Sequence, residues 1–227
     1  QQTRQVWQAR PGVGEAFYQL DQNPTFQAQP GDQLLWSDDD RIAFPWEGDG
    51  FRHLYSVPAA GGEATLLTPG EGEVESAEVT LDRTRIVYTT NIGDLGRRHL
   101  YSVAFAGGEP QALTGGRESQ WAPTPLAEGY VAYINAGWAT PPSVHLRAPD
   151  GTSERARLPV IPETFPAEHM VEPQLVEFPG TDGEKAYGQL FVPKNPKGCA
   201  SIFPHGGPRR AMLPGFHYYD TYSNLYE

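Results

Sequence analysis

The hexapeptide Arg52-His-Leu-Tyr-Ser-Val57 occurs a second time as Arg98-His-Leu-Tyr-Ser-Val103, 46 positions further along the chain. Two shorter pieces recur at the same offset, namely Gly-Gly-Glu at 61–63 and 107–109 and Leu-Thr at 67–68 and 113–114. A further step of 46 from His99 reaches His145, which is followed by the turn sequence Pro149-Asp-Gly151. The sequence therefore contains two close copies of a repeat and a third, diverged copy.

Each copy has the pattern of short strands separated by turns. In the second copy, strands are predicted at 85–90, 99–103 and 111–114, with glycine-rich turns between them. The other two copies have matching first strands at 41–44 and 130–133. A repeat of 40 to 50 residues with four short strands is typical of a β-propeller blade.

About three blades fit into residues 32–160, whereas closed propellers usually have four to eight. An open arc of three blades would expose apolar faces at both ends. We therefore expect further blades before Gln1. The N-terminal sequence agrees with this expectation, because it has neither a start methionine nor a signal-peptide pattern.

A second informative stretch lies near the C-terminus. Residues 174–193 predict two strands joined at Asp182-Gly183, a strong hairpin signal, and 194–198 lead into an apolar run. That run, Cys199-Ala-Ser-Ile-Phe203, predicts a buried strand with Cys199 as a small core residue. His205-Gly-Gly-Pro208 follows, and its two glycines allow backbone N–H groups to approach a ligand closely.

These residues resemble the prolyl oligopeptidase family of serine peptidases, in its dipeptidyl-peptidase-like and acylaminoacyl-peptidase-like branches. The resemblance rests on the x-G-x-L-x-x-P pattern of Tyr187–Pro193, on H-G-G-P, and on the aromatic cluster Gly215-Phe-His-Tyr-Tyr219. A propeller followed by an α/β-hydrolase domain is the domain order of this family, so the repeat and the motif agree.

The resemblance implies a mainly β fold. We expect a partial β-propeller of about three four-stranded blades at 1–165, followed at 166–227 by the first strands of an α/β-hydrolase domain, truncated before the nucleophile.

The chemistry implied by the resemblance is peptide-bond hydrolysis by a serine, an aspartate and a histidine in that chain order. The serine should occupy a G-x-S-x-G turn, and none of the nine serines does; the nearest match, around Ser153, lacks the second glycine. We therefore expect the triad beyond Glu227, and we expect the 227 residues alone to be inactive.

The implied oxyanion hole comprises His205, Gly206 and Gly207. Dipeptidyl-peptidase-like relatives often have a tyrosine where His205 stands, so the donors here are either its imidazole or backbone N–H groups alone. Tyr218 and Tyr219 either line the substrate pocket or pack on the buried face of the following helix.

The remaining histidines and acidic residues are interpreted as structural. His53, His99 and His145 occupy repeat-equivalent positions and are predicted to be structural, and the acidic stretch Glu71–Glu75 is predicted to be a solvated loop between blades. Neither a metal site nor a cofactor is expected, because the histidines lack metal-binding spacing and Cys199 is the single cysteine.

The composition limits the classes of binding partner that we expect. A net charge of -11 without clustered Lys and Arg argues against nucleic acid, and no apolar run reaches the length of a membrane span. The resemblance implies a short peptide substrate, and both a homo-oligomeric and a monomeric full-length parent remain open. Because the N-terminus is expected to be missing, a periplasmic or secreted location and a cytoplasmic one both remain open.

Two other functions compete with the peptidase. A propeller that binds a protein or peptide without catalysis is the main alternative, since propellers alone are often interaction platforms. A non-peptidase esterase of the same hydrolase fold is the other. The H-G-G-P motif favours the peptidase over the binding module, which would have no use for it.

Overall fold

The computed structural model describes residues 34–155, 161–204 and 212–216. Fourteen strands lie in these ranges, and the helical elements there are two single 3-10 turns, Ala127–Gly129 and Ala167–His169. None of the helical elements in the described part of the chain is long and apolar enough to span a membrane.

The first twelve strands form three antiparallel sheets, in each of which every strand pairs with the next along the chain. Blade 1 contains β1 (Leu35–Trp36), β2 (Arg41–Trp46), β3 (His53–Pro58) and β4 (Thr65–Leu66). Blade 2 contains β5 (Val74–Val79), β6 (Arg85–Thr90), β7 (His99–Ala104) and β8 (Gln111–Ala112). Blade 3 contains β9 (Ser119–Pro125), β10 (Val131–Ala136), β11 (Ser143–Arg147) and β12 (Ser153–Arg155). The predicted partial β-propeller of three four-stranded blades is confirmed.

Strand β6 shows why the blades stack. Ile86 and Tyr88 lie in a buried cluster with blade 1 residues, while Val87, on the opposite face, packs with Val131 and Tyr133 of blade 3. Successive side chains of a strand point to opposite faces, so a continuous apolar run can be buried only between two neighbouring sheets. The blade 1 contribution to the first cluster consists of Leu35, Ala43, Leu54 and Leu67.

The strand pairing corrects the repeat alignment in blade 3. His145 pairs with Tyr133, as Tyr101 pairs with Tyr88 and Tyr55 with Phe44. The residue in blade 3 that corresponds to His53 and His99 is therefore Ser143, at the start of β11. The 46-residue step was wrong by two residues here, and the error is inconspicuous in the sequence because a shift of two keeps a residue on the same face of the sheet.

The segment after the blades forms the predicted hairpin. β13 (Gln174–Pro179) pairs antiparallel with β14 (Lys185–Leu190), and the turn contains Gly183 with a positive φ of 86°. Ahead of the hairpin, Phe165 and Met170 pack against the outer face of blade 3, in a cluster with Trp121, Ala136 and Phe216. The predicted boundary between residues 165 and 166 stays a prediction.

The prediction of a buried strand at Cys199–Phe203 is wrong for this chain. These residues form no strand and are exposed, and Cys199 is an exposed free thiol instead of a core residue. The physical reason is pairing: a strand needs a neighbouring strand for its backbone hydrogen bonds, and the pairings of the described residues join β14 to β13 only. An apolar run by itself does not make a strand.

Candidate functional site

The loops between the second and third strands of the blades lie at equivalent ends of the three sheets. These loops are residues 47–52, 91–98 and 137–142, and we call the surface that they form the loop edge. Buried charged groups concentrate there, and residues from the hairpin region contact it. The five sequence-predicted site residues, His205, Gly206, Gly207, Tyr218 and Tyr219, lie outside the described residues; Pro204 and Met212 are the nearest described neighbours of the H-G-G-P motif.

A buried charge pair at the loop edge joins Arg98 to Glu75. Arg98 Nη2 lies 2.7 Å from Glu75 Oε1, and the arginine side chain is only 3% exposed. Glu75 is positioned by an irregularity in the pairing of β5 with β6, between Val74 and Ser76. A bulge of this kind redirects one side chain, and here it brings a carboxylate to a buried guanidinium. The prediction that Glu71–Glu75 is simply a solvated loop was therefore wrong at Glu75.

Arg52, the equivalent residue of blade 1, approaches the same glutamate from the neighbouring sheet. Its Nη1 donates a hydrogen bond to the backbone oxygen of Glu75 at 3.3 Å. Burial lowers the pKa of Arg52 to about 9, against the attraction of Glu73, Glu75 and Glu47, which raises it. The guanidinium is therefore still charged at neutral pH, and the two arginines of the repeat converge on one residue.

His53, the residue after Arg52, is held by a carboxylate of its own loop. Its Nδ1 lies 2.8 Å from Asp49 Oδ2, and the imidazole is almost completely buried. Burial raises the pKa of Asp49, but the hydrogen bond and electrostatic attraction of His53, together with backbone N–H groups such as that of Phe51, outweigh burial, so the pKa lies below its ordinary value. The pKa of Tyr55 is raised by its own burial and by Asp49. His53 thus fastens the loop to the start of β3.

His99 belongs to a chain of amide hydrogen bonds that links blades 2 and 3. Gln120 Nε2 donates to Asn135 Oδ1 at 2.8 Å and to the backbone oxygen of Glu118 at 3.0 Å, which leaves Gln120 Oε1 as an acceptor. His99 Nδ1 lies 2.8 Å from that oxygen and must therefore donate. This series of hydrogen bonds keeps a proton on Nδ1 of His99. It also makes the contact between the two sheets more rigid.

The arrangement is suited to holding and orienting the loops of neighbouring blades. Its ionic groups are engaged with one another, and the described residues contain no group of three His, Cys, Asp or Glu side chains that could hold a metal ion. The structural role predicted for His53 and His99 agrees with these contacts. His145 packs against Tyr133, with ring centroids 5.6 Å apart, inside blade 3.

Sequence reasoning missed Glu75 and Gln120 as partners of the repeated Arg-His pair. A usable signal existed: Arg52-His53 and Arg98-His99 both precede apolar strands directly, and charged residues in that position need partners if they are buried. The sequence does not indicate which residues are the partners. Glu75 reaches Arg98 through an irregular strand pairing, and Gln120 lies on a different blade from His99.

Comparison with known proteins identifies relatives of the propeller. The family model described as the dipeptidyl peptidase IV (DPP IV) N-terminal region matches residues 2–136. Dipeptidyl peptidase 4 of Porphyromonas gingivalis is similar in structure with a TM-score of 0.56 and 16% identity, over 71% of this chain and 23% of that one. No curated protein matches the sequence.

Two further solved structures share the fold. A puromycin-hydrolyzing peptidase of Mycobacterium tuberculosis has a TM-score of 0.58 and 20% identity, over 74% of this chain and 27% of that one. A puromycin hydrolase has a TM-score of 0.57 and 18% identity, over 70% of this chain and 25% of that one. The chain thus spans between 23% and 27% of the length of these three structures.

Proposed function

The chain belongs to the family described as the dipeptidyl peptidase IV N-terminal region, and from this premise we propose that it is part of a serine peptidase that hydrolyses peptide bonds in short peptides. Its structural relatives are propeller-containing peptidases of the prolyl oligopeptidase family, so the predicted family is confirmed. The observation that supports the proposal best is the order of elements in one chain. Family-matching blades are followed by the hairpin β13–β14 and then by His205-Gly-Gly-Pro208.

In the proposed reaction, a serine hydroxyl supplied by residues beyond Glu227 attacks the carbonyl carbon of the scissile bond while a histidine takes its proton. An aspartate orients that histidine, and the histidine then gives the proton to the leaving amine as the C–N bond breaks, which leaves the acyl group on the serine as an ester. Water then attacks this ester with the same histidine as base, and the C–O bond to the serine breaks, which releases the acid product and restores the serine hydroxyl. The negative oxygen of the tetrahedral intermediate would be stabilised by donors from His205, Gly206 and Gly207. The donors are either the imidazole of His205 or the backbone N–H groups alone. Replacing His205 by alanine distinguishes these two alternatives.

Short peptides are the proposed substrates because a short stretch of chain joins the H-G-G-P motif to Met212, the next described residue. Only residues 209–211 separate Pro208 from Met212, which accepts a hydrogen bond from Gln189 of the hairpin and lies two residues before Pro214, a neighbour of the loop edge. A fully extended chain of four residues spans at most about 14 Å. A substrate reaching the oxyanion donors would therefore pass close to the blades, and a folded protein would be hindered. Tyr218 and Tyr219 are proposed to line this space.

The proposal is tested with the full-length parent protein. We expect a fluorophosphonate probe to label one serine in a G-x-S-x-G sequence beyond residue 227, and we expect hydrolysis of chromogenic peptidyl substrates. The 227-residue chain should show neither reaction. Absence of both labelling and hydrolysis in the parent would instead favour the alternative, a propeller that binds peptides or proteins without catalysis.

A further inference from the structure

Residues 212–216, which we call the anchor segment, follow the H-G-G-P motif and lie against the loop edge. Phe216 N donates a hydrogen bond to the backbone oxygen of Gly137 at 3.1 Å, in the loop between β10 and β11. Pro214 lies beside Gly96 of the equivalent blade 2 loop, 3.7 Å from the position that a Cβ on that glycine would take. The anchor segment therefore contacts the loops of two adjacent blades.

The tightest contact of the anchor segment is made by Gly215. A Cβ atom on this residue would collide with Trp138 Cα and would lie 2.6 Å from both Gly137 O and Trp138 N. These are backbone atoms, which cannot rotate away as a flexible side chain can. Gly215 also has a φ of +93°, in the region that favours glycine. Glycine is therefore required here both by backbone conformation and by the proximity of blade 3.

Apolar burial holds the same segment on both sides of Gly215. Leu213 is 2% exposed, and Phe216 is 9% exposed in a cluster with Trp121 and Ala136 of blade 3. The Phe216 ring also packs against Phe165, with ring centroids 6.0 Å apart. Burial on this scale distinguishes the anchor segment from residues 199–204, which are exposed throughout.

The anchor segment is also joined to the hairpin. Gln189, in β14, donates from Nε2 to the backbone oxygen of Met212 at 2.7 Å. On the other strand, Leu175 lies beside Gly96, 3.7 Å from the position of an added Cβ. The hairpin, the anchor segment and the loops of blades 2 and 3 thus form one connected set of contacts.

We propose that the anchor segment is the element by which the hydrolase part of the chain docks on the propeller, and that Gly215 is a positioning residue for the reaction. By fixing the chain four residues after Pro208, the docked segment would hold the end of the H-G-G-P loop at a constant distance from the blades. This inference rests on the proposed peptidase function for its kinetic consequence, but the docking contact itself does not.

The kinetic test is Gly215→Ala in the full-length parent. Relieving contacts of 2.6 Å with Gly137 O and Trp138 N to ordinary ones of 3.4 Å requires a displacement of about 0.8 Å, the difference between the two distances. A misplacement of that size in a catalytic group can cost about 100-fold in rate, so we expect kcat to fall about 10- to 100-fold. We expect KM to change by less than about threefold, because the displaced donors act mainly on the transition state.

The matched control is Gly183→Ala in the turn of the hairpin. Gly183 has a similar φ of +86°, but no atom lies within 4 Å of the position of its added Cβ. Both variants therefore place an alanine at a similar positive φ, and only Gly215→Ala introduces the collision with blade 3. The control should keep kcat within about twofold of wild type.

The docking itself is measured by hydrogen exchange of the intact parent, which needs no activity. In Gly215→Ala, we expect the amide of Phe216 and peptides covering the 137–142 loop to exchange at least about tenfold faster than in wild type. Gln189→Leu, which removes the side-chain bond to Met212 without a collision, provides a milder variant in case Gly215→Ala does not fold. It should accelerate the same exchange by about two- to tenfold.

The outcomes separate the two proposals. Faster exchange in a parent that shows no peptidase activity would support docking and contradict the proposed function. Equal kcat in Gly215→Ala and Gly183→Ala in an active parent, or unchanged exchange in both Gly215→Ala and Gln189→Leu, would overturn the positioning role.

Discussion

The blades and the hairpin β13–β14 are built from similar strand sequences, yet they differ in burial. In blade 2, β6 buries five successive residues, of which Ile86 and Tyr88 pack toward blade 1 and Val87 packs toward blade 3. In the hairpin, Leu175, Phe178, Tyr187 and Leu190 are each about half exposed. Both pairs of strands are fully hydrogen-bonded to each other. The difference teaches that pairing two strands is insufficient for a core, which needs a second layer on each apolar face.

The largest expected effect is a contrast between two Leu→Ala substitutions. Leu100 in β7 is fully buried between blades 2 and 3, whereas Leu190 in β14 is 46% exposed. Leu100→Ala should lower the free energy of unfolding by about 2 to 5 kcal/mol, because it removes buried methyl groups and leaves a cavity. Leu190→Ala should lower it by less than about 1 kcal/mol. Urea unfolding followed by circular dichroism measures both, and equal losses would contradict the contrast.

A smaller effect is expected from the same Glu→Gln change in the two regions. Glu75→Gln leaves the buried guanidinium of Arg98 without its charge partner and should cost about 2 kcal/mol of unfolding free energy. Glu177 in β13 pairs with Lys185 at 2.9 Å, but both side chains are largely exposed to solvent. We expect no measurable change in the urea midpoint for Glu177→Gln, since solvent and salt screen exposed pairs. A larger loss for Glu177→Gln than for Glu75→Gln would reverse the interpretation.

The smallest effect concerns Asp49, a partly exposed carboxylate of blade 1. Because its pKa in the folded protein lies below the ordinary value of 3.8, it stabilises the fold above that pH. This contribution is lost as pH falls through the lowered pKa. Asp49→Asn should therefore unfold at a lower urea concentration than wild type at pH 6, and the difference should disappear in strongly acidic solution. A difference that grew on acidification would have the wrong sign.

The blades could be predicted from the sequence because their backbone hydrogen bonds join strands that are adjacent in the sequence. Each of the twelve blade strands pairs with its neighbour in the chain, so the order of strands follows from the order of residues. The register in blade 3 was predicted two residues off, at His145, because periodicity of two does not distinguish positions on the same face. The residues of the loop edge could be predicted only in part. The repeated Arg-His pair can be recognised in the sequence, but its partners Glu75 and Gln120 cannot.

The sequence by itself determined the repeat, the blade strands, the hairpin turn at Asp182-Gly183 and the family, since all of these depend on residues close together in the chain. Tertiary structure alone decided three other features: that Cys199–Phe203 forms no strand here, that two arginines converge on Glu75, and that Gly215 fits against Trp138. The physical reason is the same in each case. Strand pairing, charge burial and steric exclusion depend on which residues, far apart in the sequence, come into contact in the fold. A local sequence pattern does not specify these contacts.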